Sequence, residues 1–301
     1  MNLTIGVCAF NEERNIKALL LDVLDQKGLP ENVRIVVVAS GCTDNTADIV
    51  RKVIKDNRRL TLIEEEARTG KANAINLILA TCPNGVLTLV DADIRLPQGT
   101  LARVFNAFSD KRIGVAGGLP VVGNSENGTI AESASIILRI MTWALKELSA
   151  KGELAYTMGE LYGFRTSLVQ KIPDDVVNDD AYVATLVRSK GYKAVLAPGA
   201  QFLTRVPSSV PDYIAQRRRV TFGHIRVKAQ TGRFATCMEG IALGHKSILL
   251  RALVHEAASR PMSILRGVLV LELEVVAWLL AWLDLRSGKQ HVLWKRIETT
   301  K

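Results

Sequence analysis

Two pairs of carboxylates are the residues of this 301-residue chain best spaced for chemistry: Asp91 and Asp93 in the stretch VLTLVDADIRLP, and Asp179 and Asp180 in VNDDAYVATLVRSKGYK. The first pair closes a near-continuous apolar run (Val86, Leu87, Leu89, Val90), the pattern of a strand buried on both faces. Alternation along a strand points Asp91 and Asp93 the same way, and the small Ala92 between them leaves room for a divalent cation and a phosphate. The same residues also suit an Asx-turn that only ends the strand. The second pair falls in the first turn of a helix running to Gly191, where acids commonly cap backbone N–H groups. What either pair does therefore depends on what the fold brings beside it.

The elements that position them alternate. Leu3 to Ala9 reads as a β-strand, and NEERNI opens a helix with Ile16, Leu19, Leu20, Val23 and Leu24 at helical spacing. VRIVVVAS is a second buried strand, followed by a Gly turn, capping residues and a helix in SGCTDNTADIVRKVI. LTLIEEE and ARTGKANAINLILATC repeat the unit before the acidic strand, and GVAGGLP adds another strand. This order, without hairpin signals, predicts an α/β protein with a doubly wound parallel sheet and a ligand crevice at the carboxyl ends of its strands. Ala9 to Glu12, Ser40 to Asp44, Arg68 to Lys71 and Asp91 to Asp93 all fall at that edge. Neither G-x-x-x-x-G-K-[ST] nor G-x-G-x-x-G occurs, which disfavours a P-loop NTPase and a dinucleotide oxidoreductase. In IAESASIILRIMTWALKEL, helical spacing assigns Ile136, Ile140, Trp143 and Leu145 to core packing.

Charge is unevenly placed. Residues 1–200 hold 23 Lys and Arg against 23 Asp and Glu, whereas residues 201–301 hold 16 against 7, together with all four His. Such asymmetry implies an anionic partner for the last third, or a solvated helical surface. Cys8, Cys42, Cys82 and Cys237 form no C-x-x-C pair, so neither a zinc site nor a redox motif is suggested, and a reducing compartment fits. The N-terminus shows no secretory signal pattern. The expectation is a protein of the cytosol or of the cytosolic face of a membrane.

Six segments, CAFNEERNI, SGCTDNTADIV, RTGKANAIN, LVDADIRLP, NDDAYVATLVRSKGYK and QRRRV, occur in the order and approximate spacing of the family 2 glycosyltransferases with a GT-A fold. Over about residues 1 to 225 the chain resembles the branch that contains cellulose and hyaluronan synthases. The resemblance implies a GT-A catalytic domain over residues 1–205, with an inverting transfer of a sugar from a nucleotide-diphosphate donor to a lipid-linked or glycan acceptor, in polysaccharide or glycolipid biosynthesis. It implies that Ala9, Phe10, Asn11 and Glu12 line the base and ribose and that Lys71 faces the diphosphate. Asp91, Ala92 and Asp93 would be the DxD motif, with Asp93, helped by Asp91, holding Mg²⁺ or Mn²⁺ against the two phosphates. Asp180 would be the general base, Asp179 would hold it or the acceptor in position, and Gln216 and Arg219 would contact the acceptor or the diphosphate. Two departures bear on specificity. Ala39 and Ser40 stand where family members commonly carry Asp, one of which reads the base, so the resemblance leaves the donor base open. Val220 replaces the Trp of Q-x-x-R-W, which favours single transfer over processive synthesis.

Residues 206–301 read as a basic amphipathic helical region. SSVPDYIAQRRRVTFGHIRVKAQTG and GIALGHKSILLRALVHEA have apolar residues at helical spacing with Arg, Lys and His between them, as helices in a membrane interface do. MSILRGVLVLELEVVAWLLAWLDL is mostly apolar but carries Arg266, Glu272 and Glu274, so the expectation over residues 262–285 is a helix lying on the bilayer rather than spanning it, with Trp278 and Trp282 at headgroup depth. The competing reading is that these helices pack on the catalytic domain or form an oligomer interface. Nucleic acid is disfavoured as a partner, because few aromatics accompany the basic residues. Two other functions fit less well: a sugar-1-phosphate nucleotidylyltransferase, which needs a Gly- and Arg-rich first loop, and a membrane scaffold with a decayed transferase site. The tail HVLWKRIETTK is short and basic.

Overall fold

The structure is a computed structural model that describes residues 1–55, 57–82, 84–293 and 297–300. Its first half is four β-α units: β1 (Leu3–Ala9), α1 (Ile16–Leu24), β2 (Arg34–Ser40), α2 (Thr46–Lys55), β3 (Leu60–Glu65), α3 (Lys71–Ala80), β4 (Val86–Asp91) and α4 (Thr100–Ala107). β5 (Ile113–Val122), the long α5 (Thr129–Lys151), β6 (Leu161–Arg165), α6 (Asp179–Ser189) and β7 (Lys193–Thr204) follow. Among the described residues the strands form one sheet in the order β3-β2-β1-β4-β6-β5-β7. β1 to β4 are parallel, as the apolar runs predict; Ile5, Val7, Val36, Val37 and Leu87 are almost fully buried, each contributing roughly 1.5–3 kcal/mol.

β6 is the exception in this mostly parallel sheet. It runs antiparallel between β4 and β5, with Leu87 opposite Phe164 and Val90 opposite Leu161. LYGFR is too short and too aromatic to announce its direction, but its entry matters: the Asp91 N–H donates to the Glu160 carbonyl at 2.9 Å, which draws the MGE turn up beside the first acidic pair.

The last third is helical: α7 (Val210–Thr231), α8 (Met238–Gly244), α9 (Lys246–Ser259) and α10 (Met262–Arg286). The core runs across residue 205 without a break, since Val227, Cys237, Ile241, Ile248, Ala252 and Val270 belong to the same apolar cluster as the sheet. α7 does not turn its basic residues toward headgroups. Arg217 is paired with Glu274 at 2.7 Å, Arg218 with Asp284 and Arg226 with Asp175. For Arg217 and Arg218 the reason is energetic, since they lie between α7 and α10, where an unpaired charge costs several kcal/mol; the Arg226 pair is at the surface. Glu274 is thus an internal ion-pair partner, which also accepts from the Tyr213 hydroxyl. The outer faces of α9 and α10 differ, exposing Leu250, Val254, Leu265, Val268, Leu271 and Trp278 to solvent, while Trp282 is half-buried with Arg286 over its ring. Among the described residues no helix is long and apolar enough to cross a membrane. In α5, Ile136, Ile140 and Leu145 are buried as expected, whereas Trp143 is only partly covered and rests against His255. Residues 294–296 and 301 of the basic tail lie outside the described residues.

Candidate active site

A cavity of ≈ 340 Å³ opens at the carboxyl ends of β1, β2 and β4 and is closed on its far side by α6 and α7. Ala9, Phe10, Glu12, Ser40, Lys71, Asp91, Ala92, Asp93, Asp179, Asp180, Gln216 and Arg219 all line it, so it gathers every residue singled out in the sequence except Asn11. Asn11 lies between two of the lining residues, Phe10 and Glu12. It holds the left-handed backbone (φ 55°) that turns β1 away from the sheet, and its side chain pins the neighbouring loop by accepting from the Thr43 N–H at 2.8 Å and donating to the Thr43 hydroxyl at 3.1 Å.

Lys71, at the start of α3, joins the two acidic pairs. Its Nζ is 2.8 Å from Asp91 Oδ1, 3.5 Å from Asp179 Oδ1 and 3.4 Å from the Gly159 carbonyl it donates to. Burial opposes the ammonium charge, but Asp179 and Asp91 more than offset it and hold Lys71 well above its usual range. Asp179 also accepts from the buried Tyr162 hydroxyl at 2.6 Å, so it is fixed from two sides. Asp180 makes no ion pair among the described residues, and Gly159 presses against its carboxylate face. Burial, and then Asp179, push Asp180 up to about 6; burial likewise raises Asp91 despite Lys71.

Glu160, which the sequence pattern passed over, and several expected residues complete the walls. Glu160 lies among Asp91, Asp93 and Asp180, and burial followed by the Asp91 charge pushes it up to about 7. Arg219 faces Asp91, Asp179, Asp180 and Glu160, although burial dominates and lowers it. On the β1 side the Arg68 guanidinium sits 3.9 Å from the centre of the Phe10 ring. The backbone of Arg68 can approach there because Gly41, at φ +60°, has no Cβ; one would lie 2.4 Å from the Arg68 nitrogen. Ser40 is buried and its Oγ accepts from the Thr69 N–H at 3.4 Å. Near the chain's end, Ile297 and Thr300 also line the cavity, tied down by Thr299, whose hydroxyl donates to Asp212 at 2.7 Å. Tyr156, Met158, Arg205, Arg217 and His224 finish the α7 side. No motif in the sequence pointed to Glu160.

The model for glycosyl transferase family 2 matches residues 4–172. The poly-beta-1,6-N-acetyl-D-glucosamine synthase of Staphylococcus aureus is 24% identical over 222 residues, covering 72% of this chain and 53% of that protein. The beta-monoglucosyldiacylglycerol synthase of Nostoc sp. is 22% identical over 163 residues, covering 54% of this chain and 34% of that protein. The chain thus spans about half the length of the Staphylococcus aureus synthase. Among solved structures, the mannosyltransferase PcManGT from Pyrobaculum calidifontis, in complex with GDP-Man and Mn²⁺, has a TM-score of 0.68 at 23% identity, over 96% of this chain and 88% of that one. Staphylococcus aureus TarS 1-349 with UDP-GlcNAc has a TM-score of 0.52 at 17% identity, over 96% and 93%. These neighbours share the GT-A fold. With the family model matching more than half of it, the chain belongs to glycosyl transferase family 2 and is a glycosyltransferase.

Proposed function

We propose that the protein transfers a sugar from a nucleotide-diphosphate donor to a lipid-linked or glycan acceptor, with inversion, at a membrane surface. The observation that carries this reading is Lys71, whose ammonium ties Asp91 to Asp179 and so brings the two acidic pairs together in one small cavity. The nucleotide fits the β1–β2 side, with its base beside Phe10, Arg68 and Ser40 and its ribose near Ala9 and Glu12. The diphosphate fits between Lys71, Asp93 and Arg219. Asp180 then faces the sugar from the side remote from the leaving group. The acceptor oxygen attacks the anomeric carbon, its proton passes to the Asp180 carboxylate, and the carbon–oxygen bond to the diphosphate breaks with its electron pair leaving on phosphate. A carboxylate raised to about 6 is ionised at neutral pH yet basic enough to take that proton. One displacement inverts the anomeric centre. Asp179, fixed by Lys71 and Tyr162, keeps the first turn of α6 in place.

The site also fits a hard divalent cation, Mg²⁺ or Mn²⁺. Its donor set there is oxygen only: Asp91 and Asp93 lie close enough to Glu160 to help raise it, and Asp93 helps to raise Asp91. Asp93, helped by Asp91, would be the main protein ligand, with the donor's phosphates supplying the rest. When bound, such a cation neutralises charge that develops on the departing diphosphate. The membrane part of the reading is supported by the apolar outer faces of α9 and α10, where Lys246, Arg251 and Arg260 lie close in sequence to Leu250, Val254 and Leu265.

A screen of nucleotide sugars by thermal shift, with Mn²⁺ and then with EDTA, tests the donor side. At least one nucleotide sugar is expected to raise the melting temperature in the presence of metal and to release nucleoside diphosphate. If no nucleotide sugar binds, the reading fails. Co-sedimentation with vesicles of phosphatidylglycerol tests the surface, and indifference to them removes the membrane.

A further inference from the structure

At the α7 side of the cavity three side chains meet that none of the steps above uses. His224 of α7, Cys237 at the turn into α8 and Glu239 in the first turn of α8 each bring one ligand atom within 4.8 Å of the other two: a ring nitrogen, the thiol sulfur and a carboxylate oxygen. His224 is 3% exposed and Cys237 is fully buried. The His224 Nδ1 lies 2.9 Å from Glu239 Oε2, while its Nε2 is buried with no hydrogen-bond partner among the described residues. The Cys237 thiol donates weakly to the Ala235 carbonyl at 3.5 Å. The chain is shaped to gather them. Gly240 lets the turn fold back against α8, since a Cβ there would lie 1.9 Å from the Ala235 carbonyl oxygen. Thr236 anchors that turn by accepting from the Ala155 N–H at 2.9 Å. Thr221, one turn before His224, donates its hydroxyl to Glu239 Oε1 at 3.2 Å and so holds the carboxylate toward the ring.

We propose that His224, Cys237 and Glu239 form a structural zinc site that fastens α7 to the start of α8. The site goes beyond the transferase reading and does not depend on it. Ligand chemistry selects the ion. A thiolate and an imidazole are softer donors than Mg²⁺ or Mn²⁺ prefer, whereas zinc takes nitrogen, sulfur and oxygen together, so this cluster and the oxygen-only set at Asp93 call for different cations. The distances suit it. In a tetrahedral shell with bonds of about 2.0–2.3 Å, ligand atoms stand roughly 3.3–3.8 Å apart, so the His224–Glu239 contact opens by some tenths of an ångström and the sulfur closes by about one ångström at most. The charges suit it too. Zinc on one thiolate, one carboxylate and a neutral imidazole is a neutral unit, which a buried place tolerates better than a lone carboxylate. Binding releases the thiol proton and leaves the fourth position to water. Thr221 then supports a ligating carboxylate, as outer partners of metal ligands do. A hydrogen bond between His224 and Glu239 without a metal accounts for two of the three side chains; it assigns nothing to the buried thiol beside them. Because α7 also carries Gln216 and Arg219 into the cavity, the ion would steady that wall.

The test needs no substrate. The purified protein is given equimolar Zn²⁺, freed of loose metal by gel filtration and analysed by mass spectrometry of the element. Stoichiometric zinc is expected in the parent, and Cys237→Ser and His224→Gln should each lower the retained metal by at least about tenfold. Asp93→Asn, which alters the oxygen-only set, should retain it. Cobalt(II) in place of zinc gives a reading on the parent alone, so it holds even if a variant misfolds: the strong visible bands of a tetrahedral ion, with a thiolate-to-cobalt charge-transfer band in the near ultraviolet. Zinc should also raise the melting temperature of the parent and not that of Cys237→Ser. A parent that retains no zinc, with a cobalt spectrum that lacks the thiolate band, overturns the proposal and leaves His224 and Glu239 as a plain pair. Zinc retained equally by Cys237→Ser and His224→Gln, or lost only in Asp93→Asn, overturns it as well by placing the ion elsewhere. Failure to turn over any nucleotide sugar counts against the transferase reading alone, and failure to bind zinc counts against this site alone.

Discussion

The two sides of the cavity are built differently. The donor side consists of the ends of β1, β2 and β4 and the first turn of α3, each a few residues past a strand whose position the sheet dictates. The acceptor side is gathered from the turn before β6, the start of α6, the middle of α7 and the chain's last residues, none of which hydrogen-bonds to the next along a ladder. Sheet pairing holds the first side in register. Ion pairs and close helix contacts hold the second, so single substitutions should separate the two.

The largest expected effect is at Asp180. Asp180→Asn removes the base without changing shape, and transfer should fall by about 10²–10⁴-fold while donor binding with Mn²⁺ stays within about twofold. A variant that still turns over as the parent does would remove Asp180 from the chemistry and break the division between the sides. In the parent, activity should rise with pH through about 6, because Asp180 must lose its proton to act. Below that pH it should fall about tenfold per unit, as expected for a single ionisation.

Asp93→Asn should have the complementary outcome. Donor affinity measured with Mn²⁺ should fall by roughly 10–100-fold, the range expected when a metal's ligand shell is damaged, and the difference between Mn²⁺ and EDTA should largely vanish. If affinity survives in both the variant and EDTA, the cation belongs elsewhere and the donor side is less distinct than proposed.

Much of the donor side was legible because its signals are local. An apolar run followed by Asp91, Ala92 and Asp93 fixes strand, side-chain direction and chemistry within eight residues, and Lys71 opens a helix directly after a glycine. The second pair was legible as helix-starting acids, but not its connection to the first, since Lys71 and Asp179 lie 108 positions apart and only the folded sheet brings them to 3.5 Å. Asn11 shows a different limit: its motif marked it as important, while its task is set by a left-handed backbone that no pattern of residue types displays. Arg217 and Arg218 were read as outward-facing because helical spacing locates a basic stripe without naming what lies opposite. Their partners, Glu274 and Asp284, arrive 57 and 66 residues later. His224 and Glu239 were invisible for the same reason.

Those ion pairs make the acceptor side the more fragile. Glu274→Gln leaves the Arg217 guanidinium, 14% exposed, without its counter-charge and with one amide oxygen to share with the Tyr213 hydroxyl. The variant should be less stable by about 2–3 kcal/mol, below the range for a fully buried pair because some water reaches both groups. Urea unfolding would measure it. Donor affinity below the transition should be unchanged, and a variant as stable as the parent would show that packing alone holds α7 against α10.

The smallest change that should distinguish the two sides is one methyl group. In Gly223→Ala the new Cβ would meet the Asn178 side chain, whose Nδ2 donates to the Val220 carbonyl at 2.9 Å, so α7 and the start of α6 must part by some tenths of an ångström or more. Overpacking of this kind costs about 1–3 kcal/mol. The displacement falls on Asp179 and Asp180 and hardly on the strand ends, which the β1–β4 register holds independently. Nucleoside-diphosphate release should therefore drop roughly tenfold, the consequence of a base moved by a fraction of an ångström, with donor affinity preserved. Equal losses in both quantities would mean that the cavity moves as one body, and that the division between a sheet-built donor side and a helix-built acceptor side has no mechanical meaning.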